Sequence, residues 1–473
     1  MADLNIKDKS IESSFLSSAL ATEGHFRDLA EFHAWFRSRS EANTFKVAAI
    51  PFSEMVDWHF DPVSGNLVHK SGRFFSIEGL RVKTNFGGPK QWEQPIINQP
   101  EIGILGIVTK KFGGLRYFLM QAKMEPGNVN VLQISPTVQA TKSNYTQVHQ
   151  GLRPLFLDYF LDRSKARVLV DQLQSEQGAR FLRKRNRNMI VEIEDEIDLP
   201  EDFCWLTLGQ LKELLKIDNL VNMDARSVLS GIRYAAEGER PAELAGLNGF
   251  AKDLLVSMSD RRGGRHARTE IISWFTGLKA KYECSAESVP LKELTAWRRT
   301  PTEISHESNN FFSVMAVSVQ AGNREVRSWA QPLVKQAAVG LVGFLVKKID
   351  NVLHVLVQAK LEPGFLDLVE MMPTVCFSDV ECLTRQKTLP PFAEKFMAPA
   401  PERIRYAAIL SEEGGRFYHS QNKYMVVEAA ETEEFKLPEN YIWMTVAQLL
   451  EFGRYNNYLS IETRSLLSCL NLL

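Results

Sequence analysis

The chain repeats itself. The segment Trp92 to Val138 aligns without gaps on Trp329 to Val375, at a constant offset of 237 positions. Identical pairs include Trp92/Trp329, Gln94/Gln331, Gly103/Gly340, Gly106/Gly343, Lys123/Lys360, Glu125/Glu362, Gly127/Gly364 and Thr137/Thr374. Small changes of offset extend the match in both directions. Trp35, Pro51 and Trp58 answer to Trp274, Pro290 and Trp297, and Gly178, Arg180, Phe181 and Asn186 to Gly414, Arg416, Phe417 and Asn422. Near the ends, Trp205, Thr207, Gln210 and Arg226 match Trp443, Thr445, Gln448 and Arg464. Each copy spans roughly 200 residues, too long for a solenoid unit and right for a domain. The expected organisation is an N-terminal repeat over 1–234, a connector over 235–264 containing Pro241 and several Gly, Arg and Glu, and a C-terminal repeat over 265–473.

Composition excludes several classes. With 44% hydrophobic and 24% charged residues, the chain lies near globular averages and far from disordered or collagen-like sequences. A formal net charge of −1 argues against an overall nucleic-acid or membrane-surface binder. The five cysteines form no CxxC pair and no zinc-spaced cluster, as in a reduced compartment. Met1 to Ser10 does not read as a signal peptide. The longest apolar stretch, Ala337 to Val346, is about half the ~20 residues a membrane helix requires. A soluble, cytoplasmic protein is expected.

Within a repeat, Ile102 to Val108 and Tyr117 to Met124 read as strands joined in a hairpin by Gly113-Gly114, and Val129 to Ile134 and Met189 to Ile193 as further strands. Apolar residues from Leu155 to Gln177 recur at helical spacing, with Gly178 placed as a C-cap, which predicts a helix. Thr207-x-x-Gln210 and Thr445-x-x-Gln448 precede apolar runs and read as capping boxes. Strands outnumber helices and no strand–helix–strand units recur, so the expected class is α+β, with mixed sheets flanked by helices.

The sharpest chemical feature is Gln121-Ala-Lys-Met-Glu-Pro-Gly127. On a strand, Gln121, Lys123 and Glu125 share one face while Ala122 and Met124 turn inward. Such a row can be a solvated sheet face with a Lys/Glu pair. Its return as Gln358, Lys360 and Glu362, amid drifted sequence, favours a site. The polar run Gln139 to His149 follows, with Asn144, Tyr145 and His149; the second repeat has no His or Asn-Tyr pair over Phe377 to Lys387, which favours the first repeat for chemistry. Arg180 to Arg187 is the strongest basic cluster, suited to a diphosphate because guanidinium pairs bidentately with phosphate. RNA is the rival ligand, and the equivalent stretch of the second repeat keeps only Arg416 and Lys423. Trp58, Trp92, Trp297 and Trp329 suit stacking on a base or sugar as well as core packing. The sequence has no GxGxxG after a strand, no Walker loop, no HExxH and no GxSxG, so nothing indicates a bound dinucleotide, a zinc peptidase or a serine hydrolase.

Three stretches together carry a resemblance: Trp92 to Gly106, Gln121-Ala-Lys-Met-Glu-Pro-Gly-Asn128, and Ser135-Pro-Thr-Val-Gln-Ala-Thr141. They closely resemble the NDP-hexose 2,3-dehydratases, over nearly the whole chain and including its duplication. The resemblance implies two Nudix-like domains without a Nudix box, a homodimer, no cofactor and no metal. It also implies action on dTDP-4-keto-6-deoxy-D-glucose in deoxysugar biosynthesis. The implied chemistry is removal of the C3 hydrogen, acidified by the C4 ketone, followed by loss of the C2 hydroxyl. From chemistry and position, His149 or Glu125 is the expected base, and Tyr145 or Lys123 the acid or enolate stabiliser. Asn144, with Trp58 and Gln121, would hold the sugar, and Arg180 with nearby cations the diphosphate. A second pocket is expected around Trp297, Lys360, Glu362, Thr374 and Arg416, binding without chemistry. The competing expectation is a nucleotide-sugar-binding pseudo-enzyme or sensor.

Overall fold

A computed structural model describes residues 2–88, 90–142, 153–234, 245–259, 264–322, 326–377 and 389–472. Its fold is α+β and twofold repeated. In the first repeat, Gly103–Phe112 and Leu115–Met124 form an antiparallel hairpin. It closes through Gly113 and Gly114, whose φ of 58° and 86° are cheap only for glycine. Arg185–Glu192 lies parallel to Gly103–Phe112, and Arg167–Ser175 closes that edge antiparallel. Phe203–Leu206 flanks the hairpin on the other side. The second repeat reproduces this sheet, with Gly340–Ile349 between Val352–Leu361 and Gln421–Glu428.

Both capping boxes form. They open the helices Leu208–Leu214 and Val446–Phe452, each with its Thr and Gln side chains bonded reciprocally to backbone. Helix Ala2–Ala19 lies on the first sheet, where Ser18 Oγ donates to the Arg116 carbonyl at 2.7 Å and accepts from Leu208 N at 2.9 Å. Helix Gly249–Ser259, inside the stretch read as connector, makes the same pair of bonds through Ser257 to Leu353 and Val446. It is the second repeat's counterpart of the N-terminal helix.

The helix expected over Leu155 to Gln177 is not there. A single turn, Asp158–Leu161, precedes the strand Arg167–Ser175. A bulge between Val168 and Val170 breaks the two-residue alternation of this strand, so its apolar spacing imitates a helical period. Gly178 is no helix cap. It sits against the Phe365 ring of the other repeat, where a Cβ would lie 2.5 Å from the nearest ring carbon.

The repeats exchange strands. Phe45–Ile50 of the first pairs with Ser313–Ala321 of the second, in register from Phe45↔Ala321 to Ile50↔Ala316. Cys284–Val289 of the second returns the exchange on Ser76–Thr84. Beneath these outer sheets, Phe52, Trp58, Phe75 and Phe181 pack with Leu291, Trp297, Phe312 and Phe417 in one shared core. The motif glycines stand where the repeats cross. Gly127 N donates to Gly414 O at 2.8 Å and Gly364 N to Gly178 O at 2.7 Å. Buried Arg226 donates to the Ser411 carbonyl and buried Arg464 to the Ser175 carbonyl, again across the repeats. Among the described residues, no helix is long and apolar enough to cross a membrane.

Candidate active site

The strand Leu115–Met124 places the motif as its alternation dictates. Ala122 and Met124 pack inward against Leu132, Trp35 and Phe36. Lys123 and Glu125 turn to the opposite side, where Lys123 Nζ donates to Gln139 Oε1 at 2.6 Å and lies 3.4 Å from Glu125 Oε1. Glu125 is 6% exposed, and its Oε2 has no hydrogen-bond partner among the described residues. Gln139 Nε2 in turn donates to the Asp224 carboxylate. These side chains form one wall of a cavity of about 490 Å³, a volume suited to a ligand of nucleotide-sugar size. Trp58, His69 and Phe75 of the first repeat form a second wall; Trp329, Glu413 and Arg416 of the second repeat form a third.

Acid groups crowd this cavity. Burial, then the neighbouring Glu413 and Glu125 carboxylates, pushes the Asp224 carboxyl up to about 7. Burial likewise raises Glu413 to about 7, with Glu176 and Glu125 adding to the rise and Arg416 opposing it. Glu176, held by Asn186 Nδ2 at 2.7 Å, rises for the same leading reason. Like charges gathered out of water cannot all ionise, so protons stay in this cluster near neutral pH. Burial also lowers the ammonium of Lys184, which reaches the cavity and donates to the Glu101 carbonyl.

The crossing of the repeats reassigns the expected cations. Arg416, expected in the second pocket, lies in the first repeat's cavity, with its guanidinium 4.2 Å from the Phe75 ring centroid and Nε donating to Gln99 Oε1 at 3.2 Å. Arg180, expected beside Lys123, stacks instead over Phe312 at 4.0 Å, where Glu362, Glu412 and Glu462 surround it. The Gly178 and Gly414 turns each pass onto the opposite motif and carry their arginines with them. The expected basic cluster also disperses. Arg187 pairs bidentately with Asp171, and of the cations of the cluster only Lys184 lines the first cavity.

The second repeat holds an equivalent arrangement. Lys360 Nζ lies 3.5 Å from Glu362 Oε1, and Trp297 packs on Phe312 and His306, with ring centroids 4.8 and 5.4 Å apart. Thr374, expected as a binding group, instead uses its hydroxyl on the Leu356 carbonyl and the Leu345 amide, as Thr137 does in the first repeat. Gln121 is half-buried one step along the motif face and does not line the first cavity. Asn144, Tyr145 and His149 lie outside the described residues. Sequence reasoning missed Asp224, Glu413 and Asn186 as residues of this cavity, and had Lys184 only as one of the cations near Arg180. An acid at both Asp224 and Glu462, and an asparagine at both Asn186 and Asn422, was the available signal.

Among the described residues, a Lys–Glu pair with one unpartnered carboxylate oxygen stands beside carboxyls that retain protons, in a sugar-sized cavity. Such an arrangement can hold and move protons. The model of the NDP-hexose 2,3-dehydratase family matches residues 29–232 and 268–470, one match per repeat, and the chain belongs to that family. A relative from Saccharopolyspora spinosa, named dTDP-4-dehydro-6-deoxy-alpha-D-glucopyranose 2,3-dehydratase, is 47% identical over 97% of this chain and 94% of its own length. Relatives of the same name from Amycolatopsis orientalis and Streptomyces violaceoruber are 45% and 43% identical, over 96% and 94% of this chain and 92% and 98% of theirs.

Proposed function

We propose that the chain is a carbon–oxygen lyase that eliminates water across C2 and C3 of dTDP-4-keto-6-deoxy-D-glucose, in deoxysugar biosynthesis. The observation that carries this reading is the buried Glu125 carboxylate at the wall of the cavity, whose Oε1 lies beside Lys123 and whose Oε2 has no partner among the described residues. A base needs a lone pair not already committed to a donor, and Glu125 Oε2 has one. With a ketone at C4, the C3 hydrogen is acidic. Glu125, or His149, removes it, and Lys123 or Tyr145 stabilises the enolate. The enolate expels the C2 hydroxyl, and the resulting enol tautomerises to a 3,4-diketo-2,6-dideoxy sugar. A positioned acid or base contributes on the order of 10²- to 10⁴-fold. Oxidation states balance within the substrate, so the residues present suffice and no cofactor or metal enters the scheme.

Trp58 and Asn144 hold the nucleotide or sugar, with Gln121 supporting the face from above the cavity. The diphosphate lies toward Arg416 and Lys184, cations that line the cavity along with Lys123. Around Trp297, Lys360 and Glu362, with Arg180, the second repeat offers a pocket for binding without chemistry. The family resemblance extends the reading to two Nudix-like domains, a cytoplasmic homodimer and no nucleic-acid partner. Incubation with dTDP-4-keto-6-deoxyglucose should yield the unstable diketo sugar or its breakdown product maltol. Binding without consumption would make the protein a sensor instead.

A further inference from the structure

We propose that Glu413, which the second repeat carries into the first repeat's cavity, shares a proton with Asp224 and delivers it to the departing C2 hydroxyl. This rests on the dehydratase reading and adds the missing acid to it. Elimination needs two proton-handling groups. One takes the C3 proton, and the other protonates the C2 oxygen so that water leaves instead of hydroxide. Glu125 cannot do both at once.

The geometry places Glu413 at the base. The turn that bears it is pinned by the bond from Gly127 N to Gly414 O, two residues beyond Glu125. A Cβ built on Gly414 would lie 3.0 Å from the Glu125 Cβ, so the two segments touch here. Glu413 and Asp224 both line the cavity with Lys123 and Glu125. The charged groups facing the pair are Glu125 and Glu176 on one side of the balance, and Lys123, Lys184 and Arg416 on the other. Lys123 is engaged by Gln139 and Glu125, Lys184 by the Glu101 carbonyl, and Arg416 by Gln99 and the Phe75 ring. The cations are thus tied to other partners, and a proton shared between the two carboxyls relieves their repulsion.

The second repeat supplies a control. Around Lys360 and Glu362 the place of Glu413 is taken by Gln177, carried there from the first repeat, whose amide has no acidic proton and donates a hydrogen bond to Glu412. Cys376 stands there for Gln139, and Ser420 for Lys184. The carboxyl pair is therefore particular to the first cavity.

In the step, the C3–H electron pair moves into the enolate, which re-forms the C4 carbonyl as the C2–O bond breaks. The Glu413–Asp224 proton joins the leaving oxygen, and water departs. Glu125 ends protonated and the pair deprotonated, and solvent returns the proton between turnovers. The test is Glu413→Gln, isosteric and already tolerated at position 177, in the full chain supplied with dTDP-4-keto-6-deoxyglucose in D₂O. Product formation should fall on the order of 10²- to 10⁴-fold, while deuterium still enters C3 of recovered substrate. Asp224→Asn should behave alike, and Glu413→Asp should restore part of the turnover. Loss of both exchange and product in a folded Glu413→Gln, or near-normal turnover in it, would overturn the proposal. If the wild-type protein neither exchanges C3 hydrogen nor forms product, the dehydratase reading itself falls.

Discussion

Glu125 and Gly127 stand two positions apart and do different work. Among the described residues Glu125 keeps one carboxylate oxygen unpartnered, while its backbone, just past the strand end at Met124, is bonded to the Val131 carbonyl. Glu125→Gln should lower turnover on the order of 10²- to 10⁴-fold and abolish C3 exchange, with the melting temperature little changed. Near-normal turnover in both Glu125→Gln and His149→Ala would remove both expected bases. Gly127 is structural. A Cβ there would lie 1.7 Å from the Phe417 carbonyl oxygen, and one on Gly364 would lie 1.9 Å from that of Phe181. The facing backbone cannot yield on one side alone, because each carbonyl belongs to a turn bonded into the opposite motif. Gly127→Ala should cost at least about 1–3 kcal/mol, the usual range for overpacking, seen as a lowered denaturant midpoint; an unchanged midpoint would mean that the crossing is loose. The repeated Gln-x-Lys-x-Glu-Pro-Gly was legible as a candidate site, and its Lys123 and Glu125 line the cavity. Its glycine recurs for packing between repeats, which no single-repeat reading of the residues could reveal.

At the scale of elements, local signals translated well. The Gly113-Gly114 hairpin and both capping boxes depend on a few neighbouring residues and formed as read. The strand Arg167–Ser175 did not, because its bulge disguises the period and its partner Arg185–Glu192 lies beyond any local window. The equivalent strands Leu132–Ser135 and Val369–Pro373 show how a duplicated element diverges. Gln133 exchanges hydrogen bonds with Ser411, whereas at the matching place Glu370 accepts from Ser175 Oγ at 2.7 Å. Burial raises the Glu370 carboxyl to about 8. A carboxyl raised on folding stabilises most when both states are protonated, below its ordinary unfolded value near 4.3, and that contribution is lost as pH climbs toward 8. Glu370→Gln removes the titration. The fall in wild-type melting temperature between pH 5 and pH 8 should therefore narrow in the variant, by an amount corresponding to a few kcal/mol at most; identical profiles would show that Glu370 does not carry it.

For the whole molecule, the first cavity is built by both repeats, since Trp329, Glu413 and Arg416 come from the second. Chain order gives no hint of this. Arg180 lies 55 positions after Glu125 and sits among Glu362, Glu412 and Glu462, while Arg416 lies much further along and lines this cavity. Only the crossing of the turns decides it. Expressed alone, residues 1–244 should show no dehydratase activity, and co-expression with 245–473 should recover some; activity in the first fragment alone would show that the second repeat is dispensable.

The exchange of Phe45–Ile50 for Cys284–Val289 has a further consequence. A single-repeat ancestor with these same strands could satisfy them only by lending one to another chain, so its folded form would dissolve on dilution. Joining two copies in one polypeptide turns that encounter into an intramolecular one, at an effective concentration set by the join. Once joined, the interlock no longer depends on how much protein the cell makes, and each copy is released to lose chemistry without losing its partner.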